Sequence, residues 1–168
     1  KKDVNAWLPD KTEQVVFCKL IDDQLIDYVN YLKSEDVQKV LNPKRTPFDR
    51  EKPNMNIAFR SIMILRKICN HPNLIQYTAE DDAANSAELV DNIERLGRLT
   101  CSGKMKVLEK LLQQWKAQER KVLVFSQTRV MLDIIERFVQ LEGYTYLRMD
   151  GNTAIKNRIH MVDTFNSD

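Results

Sequence analysis

Residues 121–151 constrain what this chain can fold into more than any other stretch. An apolar run, Val122-Leu123-Val124-Phe125, ends at Ser126-Gln127-Thr128, and a second, Leu147-Arg148-Met149, ends at Asp150-Gly151. Between them Val130, Met131, Ile134, Ile135, Phe138, Val139 and Leu141 recur at three- and four-residue steps. That spacing predicts an amphipathic helix, for which Gly143 supplies a C-terminal stop. The unit reads strand, helix, strand. A helical connection of this length makes neighbouring strands parallel, so the expected class is α/β, a parallel sheet flanked by helices. Ligands of such sheets bind beyond the carboxyl ends of the strands. Here those ends carry Ser126 and Gln127 on one side and Asp150, Gly151, Asn152 and Thr153 on the other. This suits a polar ligand surface and equally suits ordinary loop chemistry.

The 168 residues, 43% of them hydrophobic, can bury one sizeable core with a smaller helical subdomain beside it. A net charge of +2 on a 30% charged background excludes a polybasic tail and makes any nucleic-acid contact local. Cys18, Cys69 and Cys101 are odd in number and lack CxxC spacing, which points to reduced, structural thiols in an intracellular protein. No apolar run reaches membrane-spanning length, and Lys-Lys-Asp-Val-Asn begins neither a signal nor a transit peptide. A soluble chain with no membrane partner is expected. The helix expected over 154–165 leads to Asn166-Ser167-Asp168, a turn signal that calls for another element, so the chain reads as a fragment.

Upstream, residues 12–20 suit a strand through Val15, Val16, Phe17 and Cys18. Asp22 and Asp23 then cap a helix whose apolar face is Leu25, Ile26, Tyr28, Val29 and Leu32, and Ser34-Glu35-Asp36 open a short one that Pro43 closes. Residues 42–54 form a loop with three prolines and four basic residues (Lys44, Arg45, Arg50, Lys52). Ile57, Phe59, Ile62, Met63, Leu65 and Ile68 predict a helix over 56–69 that is largely buried and closed by Asn70-His71-Pro72. An acidic surface loop over 78–92 runs into a helix over 87–96. Ser102 caps a long helix with Met105, Leu108, Leu111, Leu112 and Trp115 as its buried stripe.

No spacing here completes an active site. Cys69 and His71, with His160 the only other histidine, cannot finish a tetrahedral metal site. Ser102-Gly103-Lys104 lacks the upstream glycine of a phosphate-binding loop, and Met105 stands where a hydroxyl should hold magnesium, so it reads as a helix cap. What remains is a sheet edge on which Ser126 and Gln127 offer hydroxyl and amide donors and Arg129 and Arg148 offer charge to backbone phosphates, a contact blind to base sequence. Gln127 and Arg129 serve equally well as caps of the helix they precede.

Five blocks together carry a resemblance: Leu8-Pro9-Asp10-Lys11-Thr12-Glu13, Leu65-Arg66-Lys67-Ile68-Cys69-Asn70-His71-Pro72, Ser102-Gly103-Lys104-Met105, Val122-Leu123-Val124-Phe125-Ser126-Gln127 and Met149-Asp150-Gly151. In order, spacing and wording this resembles the Swi/Snf-type helicase-like ATPases of superfamily two over nearly the whole chain. Residues 11–19 and 144–151 look most like the Cockayne syndrome group B repair branch. The resemblance implies a DNA-dependent ATPase of two RecA-like lobes that close on ATP and step along double-stranded DNA. Residues 1–100 would then be a helical lobe-joining or brace region with an N-terminal strand. Residues 101–168 would be the first part of the second RecA-like lobe, truncated at its C-terminal end. Carried over by resemblance, Ser126, Gln127, Asp150 and Gly151 face DNA, with Arg129 added for its charge, and none of them is catalytic. ATP and Mg would be bound mainly by parts of the parent chain outside this segment, leaving the segment itself inactive. The implied partners are double-stranded DNA, the first ATPase lobe, and a nucleosome or RNA polymerase, and the implied location is the nucleus. Asn152, where the family usually has threonine, and Ile159, where glutamine commonly follows the arginine matched by Arg158, depart from the pattern. The competing expectation is a catalytically inactive helicase-like scaffold that binds protein partners through the loops at 44–52 or 80–91.

Overall fold

The structure, a computed structural model, describes residues 11–42, 55–76 and 101–167. Among them the regular elements are α1 (Asp22–Leu32), α2 (Glu35–Leu41), α3 (Met55–Asn70), a 3-10 turn (Pro72–Gln76), α4 (Gly103–Ala117), α5 (Arg129–Leu141) and α6 (Ile155–Ser167). The loop at 43–54, the acidic stretch with its helix at 87–96, and the Leu-Pro-Asp start fall outside the described residues.

The core lies where α4 and α5 meet. Met105 and Leu112 of α4 bury against Val130, Met131, Ile134 and Phe138 of α5, and Leu74 from the 3-10 turn closes the cluster. Helix α4 begins where its sequence predicts, whereas α5 is capped by Thr128 and not by the Gln127 and Arg129 read as its caps. Ser102 accepts a hydrogen bond from the Met105 amide and Thr128 one from the Met131 amide, each at 3.3 Å, satisfying first-turn donors that have no partner inside the helix. Helix α5 stops at Gly143, whose φ of 66° is the left-handed geometry that glycine adopts without steric cost. There the Tyr144 amide donates back to Val139 and the Gly143 amide to Gln140, the paired bonds of a Schellman ending. The Tyr144 ring packs at 6.3 Å from Phe138, and the Lys116 ammonium lies 4.5 Å above it.

Three expectations are not met among the described residues. No β-ladder forms among the described residues: 12–20, 122–125 and 147–149 are irregular, so the parallel sheet is not seen. A strand exists only through hydrogen bonds to a neighbour about 4.8 Å away, which apolar composition cannot supply. Here Phe125 is 87% and Leu123 67% exposed, and only Val122 of that run reaches the core. Second, α3 is not largely buried. Ser61 and Ile68 are its buried residues, whereas Phe59, Ile62 and Met63 are exposed and Leu65 is half-buried, because α3 meets α1, α2 and the 3-10 turn along one side. Third, the apolar face of α1 is open at Leu25 and Ile26, and its N-cap is Ile21, with Asp22 and Asp23 in the first turn. The residue that α1 buries completely is Gln24.

Candidate nucleic-acid interface

Two turns flank the N-terminal end of α5. The first, 126–128, is set by the Ser126 hydroxyl donating to the Thr128 carbonyl at 3.3 Å, with Gln127 fully open to solvent beside it. The second, 150–153, is an Asx turn. The Asp150 carboxylate accepts from the Asn152 amide at 2.8 Å, and the Asp150 amide donates to the Thr153 hydroxyl at 3.0 Å. Arg158 of α6 fixes the same loop from behind, donating to the carbonyls of Thr153 (3.0 Å) and Asp150 (3.3 Å).

Arg148 ties this loop to α5. Its guanidinium meets Asp133 and Glu136 at 2.5 Å each and Asp150 at 3.0 Å, all partly shielded from water. One cation among three carboxylates is held charged: burial opposes the charge, and the hydrogen bonds it donates to Glu136 and Asp133 outweigh it, so its pKa is raised. Burial likewise pushes the Asp150 carboxyl up, but the Asn152 amide, Arg148 and then Arg129 hold it below the ordinary carboxylate value. Through Arg148, which binds both Asp133 and Asp150, the 150–153 turn is held against α5. Tyr146 extends the network, accepting from Gln140 at 2.6 Å and donating to Glu136 at 2.9 Å.

Of the residues expected to face DNA, the structure brings Ser126, Gln127, Arg129, Asp150 and Gly151 to one end of α5, and gives them different tasks. The Asp150 carboxylate is engaged internally. Arg148, expected to offer charge to phosphates, is instead neutralised by Asp133, Glu136 and Asp150. Gly151 is exposed, its φ is not left-handed, and a Cβ added there would meet nothing within 4 Å. Nothing inside the described chain demands glycine at that position. The sequence reading missed Asp133, Glu136 and Arg158. Its available signal was the acidic pair Asp133 and Glu136 at i, i+3, which share one face of α5 and are offset by a cation nearby.

Because the depressed Asp150 pKa lies below the ordinary value of about 3.9, its stabilisation is complete above that pH and is lost as pH falls through the folded value. In Asp150→Asn this component is absent. Urea midpoints followed from about pH 5 to about pH 2 should fall less steeply for the variant than for the natural protein, and parallel curves would contradict the assignment.

A groove of about 570 Å³ runs from this end of α5 to α3, with Leu65, Arg66 and Cys69 on one wall and Val124, Phe125, Ser126 and Gln127 on the other. The LRKICNHP block and the strand-end block, 50 residues apart in sequence, thus face each other.

Comparison with known families fits this pairing. The SNF2-related domain matches residues 1–74, and the helicase conserved C-terminal domain matches residues 103–168. The chain belongs to the SNF2-related, helicase-like family. It is 41% identical over 167 residues to the DNA excision repair protein CSB of Oryza sativa subsp. japonica, covering 99% of this chain and 12% of that protein. It is 40% identical to the human DNA excision repair protein ERCC-6 (96% of this chain, 10% of that protein). Identity is also 40% to the DNA repair and recombination protein RAD26 of Saccharomyces cerevisiae (100% and 14%). The chain therefore spans about a tenth of the length of these relatives. The helicase C-terminal match speaks for a RecA-like fold over α4 to α6.

Proposed function

We propose that these residues belong to a DNA-dependent ATPase of the nucleus that moves along double-stranded DNA and remodels chromatin during repair. Residues 1–100 join and brace the two lobes. Residues 101–168 open the second, RecA-like lobe, whose parallel sheet includes 122–125 and 147–149. Ser126, Gln127, Arg129 and Gly151 face the DNA backbone, while Asp150 holds the loop that presents Gly151. The observation that carries this reading is the Arg148 bridge from Asp133 of α5 to Asp150, which holds the 150–153 turn against the helix that the 126–128 turn opens. An exposed amide, a hydroxyl and a guanidinium beside a glycine that the chain does not need for its own packing suit close approach of a phosphate backbone. Repair assignments of the relatives supply the biological setting.

Magnesium and ATP belong to the proposal, but the described residues do not form their site. The Ser102 hydroxyl and the Gly103 amide are committed to Asn70 and Gln24, and Met105, where a magnesium-binding hydroxyl would be required, is buried in the core. Phosphoryl transfer thus falls to groups outside the described residues, and this segment contributes grip and lobe closure.

In the full-length protein, Gln127→Ala, by the loss of one hydrogen bond, and Gly151→Ala, by a methyl group that holds the phosphate backbone away, should each lower DNA-stimulated ATP turnover by about three- to tenfold, with amide-exchange protection of α5 unchanged. Stimulation equal to that of the unsubstituted protein in both variants would remove the turns from the DNA interface. A protein without turnover in either the presence or absence of duplex DNA would be the scaffold instead.

A further inference from the structure

The α1–α3 helices meet the α4–α5 core through Leu74 and where the end of α3 faces the start of α4, and a single buried side chain bridges those two helix ends. Gln24, fully shielded from solvent, donates from its amide nitrogen to the Ile68 carbonyl at 2.7 Å and accepts with its amide oxygen from the Gly103 amide at 2.9 Å. Ile68 lies in the last turn of α3, whose carbonyls have no partner within the helix, and Gly103 is the first residue of α4, whose amides have none either. Gln24 bridges one helix end to the other. A carboxylate in its place would only accept and an ammonium only donate, so both bonds need a side-chain amide of this length.

Neighbouring contacts fix the same splice. The Ser102 hydroxyl donates to the Asn70 carbonyl at 2.6 Å, and the Lys104 ammonium to the Asn70 side-chain oxygen at 2.8 Å. Beyond the splice the path is continuous. Met105, two residues into α4 from Gly103, packs in the same core cluster as Met131, whose amide is bound by Thr128 at the base of the 126–129 turn.

We propose that Gln24 is a positioning residue that locks the α1–α3 helices to the start of α4, so that movement of the brace reaches the candidate DNA-binding turn. This rests on the translocase reading and goes beyond it. The α1–α3 helices and the α4–α5 core are linked by this hydrogen-bonded splice and by the packing of Leu74, and coupling between distant sites travels through such contiguous, packed elements. Loss of the Gln24 bonds leaves each side's own surface and the Leu74 contact in place but removes the buried link between the two helix ends.

The test is Gln24→Leu, which removes both bonds, and Gln24→Glu, which keeps only the acceptor, in the full-length protein with duplex DNA as probe. Both variants should bind DNA with affinity within about twofold of the unsubstituted protein, while DNA stimulation of ATP turnover falls by about tenfold or more. A merely structural role would lower thermal stability and leave the stimulation factor of the folded protein unchanged, and that result overturns the proposal. A second measurement holds even where a variant folds poorly. In the unsubstituted protein, amide exchange of segments 66–71 and 101–106 should shift together when DNA is added, and independent responses would overturn the splice. Should the unsubstituted protein show no DNA-stimulated turnover, the translocase reading fails. The splice is then decided by Gln24→Leu, which must raise exchange in both segments; a rise in only one refutes it.

Discussion

Gly103→Ala should destabilise the junction between α3 and α4 by about 3 kcal/mol or more, beyond the usual cost of adding a methyl group to a packed site. A Cβ at position 103 would stand 2.0 Å from the Lys19 carbonyl oxygen and 3.2 Å from its carbon. The obstacle is backbone, so no rotamer change relieves it. Moving α4 away would also stretch the Gly103 amide from Gln24 and the Ser102 hydroxyl from Asn70, leaving buried polar groups unpaired at about 1 to 3 kcal/mol each. Helix propensity alone predicts the reverse, since alanine is favoured over glycine within a helix by about 1 kcal/mol. The two arguments differ in sign, so the denaturation midpoint of the natural protein and the variant decides between them. A variant of equal or greater stability would show that Lys19 does not pack against α4.

Phe138→Ala should cost about 3 to 5 kcal/mol, the range for truncating a buried aromatic side chain. Phe138 is 2% exposed at the centre of the α4–α5 core and carries the Tyr144 ring that anchors the end of α5. Leu141, on the same helix and equally apolar, is 69% exposed, so Leu141→Ala should stay within about 0.5 kcal/mol. Amide exchange along α5 in the full-length protein reads both variants against one another, because local opening reports the stability of the segment itself. Equal effects at the two positions would contradict the observed orientation of α5.

The contrast between these two residues marks where sequence reasoning stops. Phe138 and Leu141 belong to one apolar pattern, and periodicity places both on the helix without stating which edge of the stripe meets α4. The same gap explains α3. Its six apolar residues announce a helix correctly, but the number of faces buried depends on how many elements pack around it, and Phe59, Ile62 and Met63 are left open. Arg148 reads as a phosphate-binding charge until Asp133 and Glu136 are found beside it, 12 to 15 residues away in sequence. Gln24 carried no local signal at all, since its two partners lie 44 and 79 residues further along the chain.

What the sequence determined by itself is local or verbal. The cap at Ser102 and the stop at Gly143 each depend on a few adjacent residues, whose side chains and backbone freedom act within one helical turn. The family was equally legible, because its blocks are strings of residues in a fixed order. Only the tertiary structure decided that α3 ends against the start of α4 through Gln24, that Arg148 serves the protein's own carboxylates, and that the 150–153 turn is tied to α5 through it. Those are long-range pairings. Their geometry is fixed by the packing of helix against helix, which turns residues far apart in sequence into neighbours and which no local pattern encodes.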